Sequence, residues 1–426
     1  MCLFVFLYSC SGGSDPKKLS ALGNYGSSEP EEEDRPVREI LTMTTVSPPA
    51  MLEFLEEAVK RFNAQNDFGV EIELKNYGTE MYKEELALKM AVNEAPDIFF
   101  TWESGFLHSF VSSGKVYEIG QALQADPEWK KGFVDGIFAD VSFGGSVYAL
   151  PLVQNLAVVY YNKALFEEYG VQAPTTYEEF LTVCRLFAGA DVTPFAISGQ
   201  LDWACGQLFL QLLCGVGGKE LYEGLINGSI PWKDQRVLRA AEELSGLQEE
   251  GFLPADVLDI SMYEALRMMT GGEAAMYFDG SWSADTGGLS QEEYGAFLLP
   301  AYYEAYRGVG IGSIDQCYAV SAECKNKEAA CAFLKTLYTR QAQERLQRAG
   351  YISVCVDKEQ SADGSPLLMG EISRLNEQLE YKLAWFDRKL GAEQGGRVNR
   401  MAQQLLCGYD PQALLEELAA WMWDQK

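Results

Sequence analysis

The residues best equipped for chemistry in this chain are tryptophans standing next to carboxylates and amides. Trp102-Glu103 follows the apolar run Ile98-Phe99-Phe100-Thr101, and Gln154-Asn155 interrupts an otherwise apolar stretch. Trp203 closes Gly199-Gln200-Leu201-Asp202, and Asp279-Gly280-Ser281-Trp282 sets an acid and an indole around one glycine. Asp315-Gln316 follows a glycine-rich run at 308–313, and Trp385-Phe386-Asp387 repeats the aromatic and acid pairing. Aromatic faces stack on C–H surfaces, while carboxylates and carboxamides bind hydroxyls, bidentately where geometry allows. This is equipment for holding a neutral, polyhydroxylated molecule rather than for breaking bonds. Each residue also has a plainer use. Trp102, Trp203, Trp282 and one of the 385–387 group can fill a core, and Gln154 and Asn155 can satisfy buried backbone.

Other chemistries find little material. His108, between Leu107 and Ser109, is the single histidine, which leaves Ser-His-Asp catalysis and most histidine metal sites without parts. The run Gly308-Val309-Gly310-Ile311-Gly312 lacks the strand–turn–helix setting of a dinucleotide loop. Asp279 with Asp315 or Glu103 could supply the two opposed carboxylates of a glycosidase, but no spacing requires it. Tyr160-Tyr161 suggests a pair of iron ligands, yet neighbours on a strand point to opposite faces. A peptide receptor would share the acidity without needing this aromatic and carboxylate set.

The chain has 426 residues, 47% apolar and 23% charged, enough for two or three domains with substantial cores. Basic residues number 34 and acidic ones 62, leaving a net charge of −28 that repels phosphate backbones. No basic cluster longer than a pair offsets it, so nucleic acid is excluded as a partner. Eight cysteines follow Cys2 and Cys10: Cys184, Cys205, Cys214, Cys317, Cys324, Cys331, Cys355 and Cys407. Their apolar settings and the lack of a CxxC favour free buried thiols over a zinc site, with one disulfide left open. No cofactor or metal is expected.

The elements that must position these side chains read as α/β. A strand at 38–44 is followed by Ser47-Pro48-Pro49, an N-cap with proline in the first turn. Met51, Phe54, Leu55, Ala58, Val59 and Phe62 then mark an amphipathic helix. Val70, Ile72 and Leu74 alternate with charges as a second strand, a helix covers about 80–93, and 97–100 is a buried strand. This βαβαβ order implies a right-handed, helix-covered sheet with ligands at the carboxyl ends of its strands, where Thr44-Thr45 and Thr101-Trp102-Glu103 stand. Extended segments near 148–162 and 274–279 flank a mainly helical region, which opens with the capping box Thr176-Tyr177-Glu178-Glu179. Helices return from Asn326 and from Leu367, the last opening with Asp410-Pro411.

The N-terminus has its own pattern. The apolar run at 3–8 is too short to span a bilayer. Leu7-Tyr8-Ser9-Cys10 is similar to a bacterial lipobox, which makes 1–10 a truncated lipoprotein signal and Cys10 the lipidated residue. Residues 11–36, rich in Gly, Ser, Pro and Glu, read as a disordered acidic tether.

In sum of segments, the chain resembles the sugar and oligosaccharide family of extracellular solute-binding proteins of ABC importers, over about residues 38–423. The resemblance rests on Ala95-Pro96-Asp97-Ile98-Phe99-Phe100-Thr101-Trp102, on Gly145 to Pro151 with Tyr160-Tyr161-Asn162-Lys163, on Gly272-Glu273-Ala274-Ala275-Met276 before Asp279-Gly280-Ser281-Trp282, and on Lys327 to Leu334. It implies a type II-like, two-lobe periplasmic-binding-protein clamp, each lobe a mainly parallel sheet covered by helices. The implied lobes are 37–152 plus 279–336 and 153–278 plus 337–426, with crossovers near 152–156, 275–279 and 335–340. It implies a non-enzymatic, monomeric surface lipoprotein, lipid-anchored to the outer face of the cytoplasmic membrane and partnered by permease subunits. The implied ligand contacts are Thr45, Trp102, Glu103, Gln154, Asn155, Trp203, Asp279, Trp282, Asp315, Gln316, Trp385 and Asp387.

Overall fold

The computed structural model describes residues 38–349, 351–355 and 368–424. The lipobox with Cys10 and the tether 11–36 lie outside the described residues.

The chain opens as read, with β1 (Glu39–Thr45), the helix Pro49–Gln65, β2 (Val70–Asn76), the helix Thr79–Ala91 and β3 (Ile98–Phe100). β1 pairs in parallel with both β2 and β3. The first helix buries Met51, Phe54, Leu55, Ala58, Val59 and Phe62, the stripe that its periodicity marks out. Its cap differs from expectation. Pro48 is the N-cap, and the Ser47 hydroxyl is engaged instead by Thr45 and Gln316, which tie the end of β1 to a later strand.

A hairpin of β4 (Ser142–Phe143) and β5 (Ser146–Val147) precedes β6 (Ala149–Gln154). After Asn155-Leu156 the chain continues as β7 (Ala157–Asn162) in a different sheet. β8 (Thr193–Ala196), β9 (Ala274–Gly280), β10 (Tyr294–Phe297), β11 (Val309–Ile311), β12 (Ile314–Val320), β13 (Ile352–Ser353) and β14 (Tyr381–Leu383) complete the strands. The first sheet runs β13-β6-β12-β3-β1-β2, the second β10-β7-β9-β8, and β11 pairs in parallel with β14.

Neither large sheet is mainly parallel, which corrects the expectation. β12 is antiparallel to β3 and β6, and β7 is antiparallel to β9 and β10. The cause is the way the chain commutes. A parallel neighbour requires a crossover of a dozen or more residues. β6 to β7 and β11 to β12 are instead joined by short links between sheets, so strands leaving the junction lie beside strands approaching it.

The commuting points also differ. The first change of sheet lies at 155–156, between β6 and β7. Residues 275–279 lie inside β9 of the second sheet, and 335–340 joins two helices on the first core through Leu334, Leu337 and Ala342. The chain returns to the first sheet at Gly312-Ser313 and leaves it again between β13 and β14. Accordingly β10, within 279–336, belongs to the second sheet, and β13, beyond 337, belongs to the first. Pairing of short strands, invisible to periodicity, decides both.

Two hydrophobic cores result, one around Met43, Phe99, Tyr318 and Phe333, the other around Phe180, Phe195, Phe209 and Leu213. The period of two along β7 places Val158 and Tyr160 in the first core and Ala157 and Val159 in the second. Tyr161 turns away from Tyr160 to pack on Phe166, so the two phenols do not converge on one ligand. Cys184, Cys205, Cys214, Cys317, Cys324, Cys331 and Cys407 are free thiols. Among the described residues, no helix is long and apolar enough to cross a membrane.

Candidate ligand-binding cleft

β9 ends in Asp279-Gly280 and turns into the short helix Trp282–Thr286. Glycine is required at the turn, because a Cβ on Gly280 would lie 2.2 Å from the Trp282 ring. Trp282 meets Trp203 edge-on at 6.0 Å, from the first turn of the helix Asp202–Asn227, and Trp385 at 6.3 Å, just after β14. Three indoles from distant parts of the sequence thus form one cluster. Trp282 donates its Nε1 proton to Asp279 Oδ2 at 3.1 Å. The Nε1 atoms of Trp203 and Trp385 are buried and have no acceptor. An unmet buried donor costs about 1–3 kcal/mol.

Asp279 supports the cluster rather than facing out of it. Its Oδ2 also accepts from the Tyr277 hydroxyl at 2.7 Å and from Ser283 Oγ at 2.6 Å. Burial raises its pKa, and those hydrogen bonds offset only part of the rise.

Trp102 stands on the first lobe, half-buried, with its edges packed by Phe100 at 4.8 Å and Phe106 at 5.0 Å. Lys83 Nζ lies 5.3 Å from the ring centroid. The charge of the same lysine also reaches Asp202, beside Trp203. Burial lifts the Asp202 carboxyl, and the charges of Arg400 and Lys83 lower it.

Glu103 departs from expectation. It is fully buried, and Arg388 Nη1 donates to its Oε2 at 2.9 Å and also to Ser313 Oγ and the Ile314 carbonyl, both at 2.8 Å. A carboxylate this deep needs a counter-charge, which directs it toward the second lobe and away from its neighbour Trp102. Backbone approaches backbone here too: a Cβ on Gly105 would lie 2.7 Å from Gly391 Cα.

The junction between lobes is polar throughout. Asn155 Oδ1 accepts from Ser313 N at 2.8 Å, and its amide nitrogen is 3.5 Å from Asp315 Oδ1. Burial pushes the Asp315 carboxyl up to about 6, although the Arg388 charge and Asn155 oppose it. Lys382 bonds Gln154 and, at 3.0 Å, Asn376 Oδ1, and burial brings its amine down to about 7. Thr45 and Gln316 are both buried and both bond the Tyr318 hydroxyl, at 2.8 Å each.

The model of the family described as bacterial extracellular solute-binding protein matches residues 47–344. The chain belongs to this family. A multiple sugar-binding protein of Streptococcus mutans is 26% identical over 230 residues, 52% of this chain and 54% of that one. An ABC transporter extracellular-binding protein of Pyrococcus horikoshii is 28% identical over 265 residues, 60% and 57% of the two chains. The chain therefore spans a little over half the length of these curated relatives. A solved chitin oligosaccharide binding protein superposes with a TM-score of 0.81 at 24% identity, covering 90% of this chain and 98% of that one.

For a solute-binding protein, a binding component rather than an enzyme, the candidate residues sort by position. Trp203, Trp282 and Trp385 come together, Asp279 holds Trp282, and Trp102 stands on the other lobe. Asp387, partly exposed, opens the short helix Phe386–Lys389 and lies within electrostatic reach of Asp202. Glu103, Gln154, Asn155 and Asp315 gather at the lobe junction, while Thr45 and Gln316 form a closed network around Tyr318. Sequence reasoning missed Lys83, Asp202, Arg388 and Arg400. Asp202 alone had a signal, its place directly before Trp203.

Proposed function

We propose that this solute-binding protein captures a neutral oligosaccharide between its lobes and delivers it to the permease of an ABC importer. The carrying observation is the Trp203–Trp282–Trp385 cluster with its two unpartnered indole N–H groups. Ring faces take the apolar side of a pyranose, and the free donors take ring or hydroxyl oxygens. Trp102 supplies a ring from the other lobe, and Asp202 and Asp387 supply acceptors for hydroxyl protons. The multiple sugar-binding relative and the chitin oligosaccharide binder, both named for carbohydrates, support such a ligand. The net charge of −28 favours neutral over acidic sugars.

The protein works outside the cell as a monomer, held to the membrane through lipid on Cys10 and the acidic tether. Two acyl chains give a lasting anchor where one gives only marginal binding. A thermal-shift screen over mono- and oligosaccharides tests the ligand class, because a ligand that binds only the folded state raises the melting temperature. Failure of every sugar to shift it would sink the reading. For the anchor, Cys10→Ala expressed in the native host should release the protein into the medium.

A further inference from the structure

Buried polar side-chain atoms without a partner are few in native proteins, and each calls for an explanation. Here five of them belong to Ser198, Trp203, Gln207, Trp385 and Glu103. Ser198 lies two residues beyond β8, and Trp203 and Gln207 sit one turn apart on the helix that follows. Trp385 touches Trp282, which touches Trp203, and Glu103 is bound to Arg388, three residues after Trp385. Trp203 and Trp385 thus share Trp282 as a neighbour, with Gln207 one turn along the helix from Trp203, whereas the other such atoms among the described residues, on Trp129, Arg239 and Gln248, lie on other elements.

Gln207 is the member that no motif suggests. It is 6% exposed, and its Oε1 is buried without a donor. Helical phase fixes where it looks. Gly206 is turned against Asn399, since a Cβ there would meet Oδ1 at 2.0 Å, and Gly215 is turned against Ala301-Tyr302. Residues 203 and 207 fall on the face between these two flanks, at about 100° per residue. Their separation along the axis is a little over one turn, roughly 6 Å at about 1.5 Å per residue, comparable to one sugar unit in a chain.

We infer that Gln207 is a specificity-determining ligand contact, whose Oε1 accepts a hydroxyl proton from the sugar unit next to the one held at Trp203. This rests on the cleft reading above and deepens it, because the ligand then has at least two units. A lone monosaccharide at Trp203 leaves Gln207 unmet, so the residue selects for length. Ser198 and Trp385 offer the accompanying donors.

The test uses Gln207→Met, which keeps the length of the side chain and removes its acceptor, with Trp203→Ala as the cleft control. Calorimetry would employ maltotriose, xylotriose and chitotriose against glucose, xylose and N-acetylglucosamine. For the trisaccharide that binds the parent, Gln207→Met should weaken affinity about tenfold while changing any monosaccharide affinity less than threefold. Without sugar, the variant should melt at or above the parent temperature, since it loses an unmet buried acceptor. Unchanged trisaccharide affinity overturns the inference, as does a lower melting temperature, which would make Gln207 a structural residue. If Trp203→Ala abolishes binding and Gln207→Met does not, the cleft stands and only the Gln207 role falls. If no probe binds the parent, both fall.

Discussion

Arg388 Nη1 and Glu103 Oε2 lie 2.9 Å apart with both side chains buried, so a helix of the second lobe is joined to the loop after β3 by an ion pair shielded from water. Coulomb attraction in that setting is strong, but so is the cost of desolvating the two charges. The pair therefore behaves asymmetrically under mutation. Arg388→Met should destabilise the protein by about 3–5 kcal/mol, because it strands a buried carboxylate. The double variant Arg388→Met with Glu103→Leu should recover most of that loss. Urea unfolding of the three proteins checks this, and a double variant no better than the single would show that the pair's charges are not the cause.

Trp102→Ala should weaken sugar binding by roughly 1–3 kcal/mol, the scale of a central aromatic contact. Its half-buried ring makes some packing contacts, so the unliganded protein should lose less than the 3–5 kcal/mol typical of a fully buried aromatic. Calorimetry paired with thermal melting separates the two effects. Intact affinity in a protein that melts far lower would assign Trp102 to the core.

Gly105→Val should hold the lobes apart. Its Cβ would meet Gly391 Cα at 2.7 Å and Gly391 N at 2.8 Å, and backbone cannot rotate out of the way. Small-angle scattering at saturating ligand should show the parent contracting and the variant contracting less. Equal contraction would place closure elsewhere than about this contact.

The lobe junction predicts a pH signature of two opposing slopes. Asp315 has a folded pKa of about 6 against an ordinary 3.8, so the fold binds its proton more tightly than the unfolded chain does. Its contribution is complete below about pH 4 and is lost as pH rises to about 6. Lys382 is brought from 10.5 to about 7, so its burial cost is full below about pH 7 and is relieved as pH rises toward 10.5. Together they contribute a stability minimum between about pH 6 and 7. Chemical denaturation across pH should show Asp315→Asn flattening the acid slope and Lys382→Met the alkaline one. Variants that keep the parent's slopes would contradict the assignment.

Much of the fold could be read because it is local. The βαβαβ start, the stripe from Met51 to Phe62 and the Thr176–Glu179 capping box each depend on residues within a few turns of each other. The tryptophans of the cleft could be picked for their type and for their place beside acids. What could not be read is what long-range pairing decides. Glu103 seemed free to meet a ligand because its partner stands 285 residues away. β8 escaped because Pro194 argues against a strand, and it is tolerated there because β8 is an edge of its sheet. Gln207 escaped because the helix Asp202–Asn227 is buried on nearly every side, so no polar face stands out in its sequence.

The edge-on contacts of Trp282 with Trp203 and Trp385 also have an optical consequence. Indole rings at 6.0 and 6.3 Å are close enough to exchange excitation energy, so a change at one of them is felt in the emission of its neighbours. A hydrogen bond accepted from the Trp203 or Trp385 N–H lowers the energy of that indole's excited state, and its emission shifts to the red. The protein thereby carries its own fluorophore at the place where its cargo would sit, and a titration can be followed by eye of the spectrometer without attaching a dye.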